Sequence, residues 1–274
     1  MTDNNFAFFL MFWGVWLLIP IVMDVIDALW RLGVVIRAVH TQVPYPPLPD
    51  SGLPRVSVVI PAQNEQVNID RCITSLKAQT YPHSLIELII INDGSTDHTS
   101  DVVIGHMSGM GHWNGHIRLH NEIIPARDFG GVINLVRGLR GGKPAAVNAG
   151  LAQTTGEIII ALDSDMVLER DAIEQAVTAF LHEPEMMAAT GHLIIDDHLL
   201  IQSDEQAKIS LDAKGVPVKR KISLSERLLA GCQFLEYLTA FHIGRQAESA
   251  TDTIFTLSGA CAVFRKEALD DIGG

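Results

Sequence analysis

The chain has 274 residues, a formal charge of −12 at pH 7 and 47% hydrophobic residues, enough to bury a full core in one large domain or two small ones. The acidity argues against a nucleic-acid partner, because neutralising the phosphates of a duplex needs a basic face. Three cysteines, Cys72, Cys232 and Cys261, lie far apart and form no metal-ligand or CxxC spacing, so core thiols in a reducing compartment are expected.

From Phe6 to Met23 there is no charged residue and the run is rich in Phe, Leu, Ile and Trp. At about 1.5 Å per residue a helix of that length crosses a bilayer core. Met1-Thr2-Asp3-Asn4-Asn5 supplies neither the basic start nor the small-residue cleavage site of a signal peptide. Asp3 precedes the span and Arg31 and Arg37 follow it, which by the positive-inside rule puts the rest of the chain in the cytoplasm. A buried helix of a soluble protein is the alternative. Residues 1–40 therefore read as a transmembrane helix with a juxtamembrane segment. Residues 41–54, with five prolines, read as a linker, and residues 55–274 as the globular domain.

That domain opens with an apolar strand, Arg55 to Pro61, closed by proline and followed by Ala62-Gln63-Asn64-Glu65. Ile69, Cys72, Ile73 and Leu76 recur at helical spacing. A second buried strand, Leu88 to Ile91, meets Asn92-Asp93-Gly94-Ser95, and Ser95 or Thr96 can cap a further helix. Gly111 to Gly130 reads as a surface insertion, its three histidines in no ligand spacing, before a strand from Val132 to Val136. In Gly141-Gly142-Lys143-Pro144 the proline suits the first turn of a helix whose free amides attract anions. A Walker A loop does not fit, since the spacing before Gly142-Lys143 is wrong and Pro144 stands at the Ser/Thr position. No GxGxxG follows the first strand, which counts against a dinucleotide oxidoreductase.

The run Ile158-Ile159-Ile160-Ala161-Leu162 ends in Asp163-Ser164-Asp165. Such a run reads as a strand buried on both faces. The βαβα alternation gives an α/β fold with a doubly wound, mainly parallel sheet and a ligand crevice at the carboxyl ends of its strands. Glu65, Asp93, Asp163 and Asp165 all fall at those ends. Carboxylates there suit Mg²⁺ or Mn²⁺, and those cations suit phosphate oxygens; the alternative is a solvated turn in which an aspartate caps the next helix. Asp196 to Ser225, with Lys219-Arg220-Lys221, reads as a polar, mobile loop.

The ordered motifs Val-Ser-Val-Val-Ile-Pro-Ala-Gln-Asn-Glu, Ile-Asn-Asp-Gly-Ser-Thr-Asp, Gly-Gly-Lys-Pro-Ala-Ala-Val-Asn-Ala-Gly-Leu and Asp-Ser-Asp resemble the inverting family 2 glycosyltransferases. Among these the chain is similar to the membrane-embedded processive synthases of cellulose, chitin, hyaluronan and poly-N-acetylglucosamine. The resemblance implies a GT-A fold, a divalent metal (Mn²⁺ or Mg²⁺), a nucleotide-diphosphate sugar donor, usually UDP-linked, and a glycan or lipid-linked acceptor. Carried over by motif, Ala62, Asn64 and Glu65 lie at the uridine pocket and Asp93 contacts base or ribose. Lys143 neutralises the diphosphate, Asp163 lies against the nucleotide-sugar, and Asp165 holds the metal, with Asp163 able to share it. Gln63 stands where the family commonly has an aromatic. Gln233 to Tyr237 is similar to a segment that runs along the membrane face, or is an ordinary apolar helix. Ser258 to Arg265 resembles the strand and turn beside the acceptor site.

In the family the chain continues beyond a segment like Ala268 to Gly274 into a Thr-Glu-Asp-type motif holding the general base, a Gln-x-x-Arg-Trp motif and further membrane helices. No residue up to Gly274 matches that base, so no catalytic residue is assigned, and the sequence reads as an amino-terminal portion that holds donor better than it transfers sugar. Two other readings remain open: a transferase acting on a polyprenyl phosphate, and a non-catalytic membrane module that binds a nucleotide-sugar.

Overall fold

The structure, a computed structural model, describes residues 3–41, 45–49, 51–108, 123–125, 131–137, 140–193, 208–211, 217–220, 223–254 and 256–273. The chain divides into two compact units, one of Pro44–Gly191 with Thr256–Gly274 and one of Met1–Val43 with His192–Phe255.

The first unit is built on a seven-stranded sheet in the order β3-β4-β2-β1-β5-β9-β6. Its strands are β1 (Val56–Ala62), β2 (Ile86–Asn92), β3 (Ile123–Pro125), β4 (Val132–Arg137), β5 (Ile158–Leu162), β6 (Ala188–Thr190) and β9 (Cys261–Arg265). The central four, β4, β2, β1 and β5, are parallel, whereas β9 runs antiparallel between β5 and β6 and β3 runs antiparallel on the far edge. Helices α2 (Ile69–Lys77), α3 (Thr99–Ser108), α4 (Gly142–Leu151) and α5 (Ala172–His182) separate the strands, and α8 (Lys266–Ile272) follows β9. The mainly parallel sheet expected from the alternation is thus present, with antiparallel strands at its margins.

Both faces of the central strands are buried, as a parallel sheet requires. On one face Val59, Ile89, Ile91 and Ile159 pack with Ala146 of α4, joined by Leu151 and Leu269. The alternate residues Val58, Ile60, Leu88, Ile90 and Ile160 point the other way and are also buried. Helices α2 and α5 each bury an apolar stripe: Ile69, Cys72, Ile73 and Leu76 on the first, Ile173, Val177 and Phe180 on the second.

Pro61 does not close its strand as expected. β1 runs on to Ala62, paired with Asn92, while its pairing with β5 ends at Val59↔Ala161. Pro61 therefore sits where the strand is paired on one side only, and a missing N–H is tolerated.

The second unit holds α1 (Asp3–Thr41), a hairpin of β7 (Lys208–Leu211) and β8 (Pro217–Arg220), α6 (Leu224–Tyr237), a π-helical stretch Leu238–Gly244 and α7 (Arg245–Ala250). Helix α1 continues past the charge-free run to Thr41 and is long and apolar enough to cross a membrane. Within this unit Arg31 pairs with Asp27 at 2.6 Å and approaches Glu248 at 3.9 Å, and Arg245 holds Glu248 at 2.9 Å. The polar stretch expected to be one mobile loop contains the β7–β8 hairpin and the start of α6. Alternating Lys208-Ile209-Ser210-Leu211 pairs with Pro217-Val218-Lys219-Arg220, a period-2 pattern hidden by the charges around it. Of the expected insertion, Ile123–Pro125 forms an edge strand against β4; its three histidines lie outside the described residues.

Candidate functional site

Parallel strands in register bring their carboxyl ends to one edge of the sheet. Ala62 pairs with Asn92 and Asn92 with Arg137, and Leu162 lies one strand away. The segments that follow these ends meet in a crevice of about 290 Å³ lined by Ala62, Gln63, Glu65, Asp93, Lys143, Asp163 and Asp165 among others. Six of the seven expected site residues line it. The seventh, Asn64, braces its rim.

Asn64 adopts a left-handed backbone, φ 60°, a conformation asparagine tolerates better than most residues. Its amide donates to Ser95 Oγ at 3.0 Å and its side-chain oxygen accepts from the Thr96 amide at 2.8 Å. Glu65 N donates to Thr99 Oγ1 at 2.9 Å, and Gln63 Nε2 donates to the Asp93 carbonyl at 3.1 Å. These bonds fasten the loop after β1 to the loop after β2. Asp97, which sequence reasoning passed over, completes the brace: its carboxylate accepts from Gln66 N at 3.2 Å, from Thr99 N at 3.0 Å and from Thr99 Oγ1 at 2.5 Å. Burial works to raise its pKa, but these hydrogen bonds outweigh it and hold the carboxyl below the ordinary value. Its position in Gly-Ser-Thr-Asp-His-Thr, two residues before a helix-starting threonine, was the available signal.

Asp163 and Asp165 behave differently although one residue separates them. The solvated-turn alternative fails for capping, because the next helix, α5, begins at Ala172 with Asp171 before it. The Asp163 amide is held by the Ala260 carbonyl at 2.9 Å, and its Oδ1 pairs with Lys143 Nζ at 2.5 Å. Lys143 Nζ also donates to the Gly259 carbonyl at 3.2 Å. A Cβ on Gly259 would lie 3.8 Å from Nζ, so the turn before β9 closes on the lysine. Asp165 is exposed and its carboxylate takes no hydrogen bond or ion pair among the described residues. Behind the pair, Cys72 and Cys261 are buried. Burial, then the carboxylates of Asp165 and Asp163, push the Cys72 thiol up to about 12. Burial pushes Cys261 up to about 11.

The helix N-terminus expected to wait for an anion is already engaged. Gly141 N donates to Asp93 Oδ1 at 3.2 Å and Gly142 N to Asp93 Oδ2 at 2.9 Å.

Among the described residues no three His, Cys, Asp or Glu side chains cluster closely enough to hold a metal by themselves. Asp163 and Asp165 on one turn, opening into a crevice, suit a different arrangement. Mg²⁺-like ions commonly take one or two carboxylates and complete their shell with substrate phosphates and water. The donor set fits a divalent cation.

The sequence profile of glycosyl transferase family 2 matches residues 57–273. Poly-beta-1,6-N-acetyl-D-glucosamine synthase of Staphylococcus epidermidis is 25% identical over 219 residues, 80% of this chain and 41% of the relative. "Probable glycosyltransferase YdaM" of Bacillus subtilis is 31% identical over 140 residues, 51% of this chain and 29% of the relative. The chain thus spans less than half the length of these relatives. A mannosyltransferase from Pyrobaculum calidifontis, solved with GDP-Man and Mn²⁺, superposes with a TM-score of 0.55 at 24% identity, covering 93% of this chain and 57% of that one. The likeness establishes the GT-A fold.

Proposed function

The chain belongs to glycosyl transferase family 2, and from that premise we propose that its crevice binds the donor of a membrane-anchored transferase. The enzyme passes a sugar from a UDP-linked donor, with inversion, to a polysaccharide or other glycan acceptor. One observation carries the reading: Asp163, Asp165 and Lys143, supplied by different segments, face one crevice at the carboxyl edge of the sheet. Ala62, Asn64, Glu65 and Asp93 form the nucleoside end, and Lys143 faces the diphosphate. Asp165, with Asp163 beside it, would hold Mn²⁺ or Mg²⁺, which when bound would supply positive charge to the diphosphate.

Transfer breaks the bond between the anomeric carbon and the diphosphate oxygen and forms one to an acceptor oxygen, whose proton passes to a general base. Lys143 offsets the charge that grows on the leaving diphosphate. A preorganised cation needs no rearrangement at that moment. For the diphosphate to reach Lys143, the contact of Lys143 with Asp163 has to loosen.

Calorimetry on the full chain tests this reading with UDP and GDP, each with Mn²⁺ and with chelator. Mn²⁺ is expected to tighten UDP binding. Asp165→Asn is expected to abolish that gain, about 1.5–3 kcal/mol for a charge-assisted contact, while leaving metal-free binding in place. Equal affinities with metal and with chelator remove the metal from the site. Binding of neither nucleotide refutes the donor site, and a preference for GDP replaces the uridine assignment.

A further inference from the structure

The crevice offers a base no ring to stack on. Among the described residues that line it there is no aromatic side chain, so a base held there is recognised through hydrogen bonds at its edge. Strands β2, β1 and β5 are neighbours, and Asp163 and Asp165 follow β5. A nucleotide whose diphosphate lies at that pair extends its base toward β2, two strand spacings or about 10 Å away. On that side the crevice is lined by Pro61, Ala62, Gln63, Glu65 and Asp93. As carboxylates Glu65 and Asp93 only accept, and Pro61 and Ala62 have no polar side-chain atom. Gln63 alone among these brings a side-chain donor.

Gln63 is exposed on the loop after β1, yet its carboxamide is held in one orientation. The Asp93 amide donates to the Ala62 carbonyl at 3.0 Å, continuing the β1–β2 pairing. Beside that bond Gln63 Nε2 donates to the Asp93 carbonyl at 3.1 Å. Turned over, the carboxamide would set its oxygen against that carbonyl oxygen, acceptor on acceptor, so the contact fixes which end carries the nitrogen. Nε2 has a second hydrogen, and the Gln63 side chain makes no other hydrogen bond among the described residues. The left-handed backbone of Asn64, with its bonds to Ser95 and Thr96, keeps the loop in place.

We infer that Gln63 is a specificity-determining residue: its spare amide hydrogen donates to the 4-keto oxygen of uracil, beside Asp93 at the nucleoside end. The inference rests on the donor-site reading above and deepens it. Of the two keto oxygens of uracil, the one at position 2 adjoins the ribose and the one at position 4 lies on the far edge, where a side chain tied to the loop after β2 meets it. Cytosine carries an amino group at position 4. Gln63 would set donor against donor there, and a donor left unpaired costs more than a made bond gains.

The ratio of UDP to CDP affinity reads this role, measured on the full chain with Mn²⁺ present and with inorganic pyrophosphate as the control. The wild type is expected to favour UDP over CDP by about tenfold or more. Gln63→Leu is expected to weaken UDP by about three- to tenfold, the loss of one neutral hydrogen bond, and to leave pyrophosphate unchanged. The preference for UDP over CDP then shrinks by at least that factor. A residue that only braced the loop would weaken both nucleotides alike and keep the preference. That result, or no preference in the wild type, overturns the inference while leaving the donor site standing. Should Gln63→Leu not fold, the wild type carries the test through 4-thio-UDP, whose sulfur is the poorer acceptor. Binding about threefold weaker than that of UDP is expected, and equal binding overturns the inference. If the wild type binds neither UDP nor pyrophosphate, the donor-site reading falls with it.

Discussion

At Cys72 and Cys261 the chemistry of single side chains is set by what lies in front of them. Both thiols are buried behind the Asp163–Asp165 turn, and Cys72 Sγ lies 3.9 Å from the Asp163 carbonyl. Burial, then the carboxylates of Asp165 and Asp163, push Cys72 to about 12; burial, with Asp163 alone adding to it against a hydrogen bond from the Gly191 amide, pushes Cys261 to about 11. Since the thiolate is the nucleophile, an alkylating reagent at pH 8 is expected to modify exposed Cys232 and spare the other two until the protein unfolds; mass mapping of the labelled peptides reads this directly. The sign of the pH effect on stability follows. The folded state keeps protons that the unfolded state loses above about pH 9, so stability is present below that pH and falls as pH rises toward 11–12. Native-state labelling of Cys72 or Cys261 at the rate of Cys232 would contradict this picture of the turn.

Helix α4 illustrates how an element is positioned by one missing side chain. A Cβ on Gly150 would come within 2.5 Å of Val59 Cγ1 and 2.6 Å of Ile91 Cδ1, so glycine allows the helix to lie directly on β1 and β2. Two effects oppose each other in Gly150→Ala. Alanine is the better helix former by about 0.8–1 kcal/mol, but overpacking a close-packed core costs about 1–3 kcal/mol. Crowding is expected to win, with a net loss of about 1 kcal/mol or more in denaturant melts and weaker diphosphate binding, because α4 carries Lys143. A more stable variant would show that the sheet can yield. The strands and helices of this half of the chain were legible because their buried runs are uninterrupted and their helical stripes regular. The β7–β8 hairpin was not, since four-residue strands among charges look like a loop until their pairing is known.

For the whole molecule, the decisive element is α1. Its surface carries Met11, Phe12, Trp13, Trp16, Leu18 and Ile19 exposed by 49–73%, an apolar belt expected to be covered by lipid. With Arg31 and Arg37 on its carboxyl side, the amino terminus is expected outside the membrane and residue 51 inside. In intact cells expressing a Cys232→Ser background, a cysteine at position 2 is expected to react with an impermeant thiol reagent and one at position 51 is not. Labelling at position 51 alone would reverse the orientation.

Much at this scale was written in the chain itself. Apolar runs ending in acids, at Ile158 to Asp165 and Leu88 to Asp93, set the strands, and parallel connection then forced their ends to one edge. Local residue order therefore determined the α/β class and six of the residues that line the crevice. What each side chain touches depended on contacts between segments distant in sequence, which no local pattern encodes. Asp163 found Lys143, Asn64 found Ser95 and Thr96, and Asp93 found the amides of Gly141 and Gly142. The sequence by itself settled which groups gather at the sheet edge; only the tertiary structure decided which are held by the protein and which, like Asp165, face the crevice without a partner among the described residues. The physical reason is range: periodicity and turn chemistry act within a few residues, whereas a charge-assisted bond depends on where two loops meet in space.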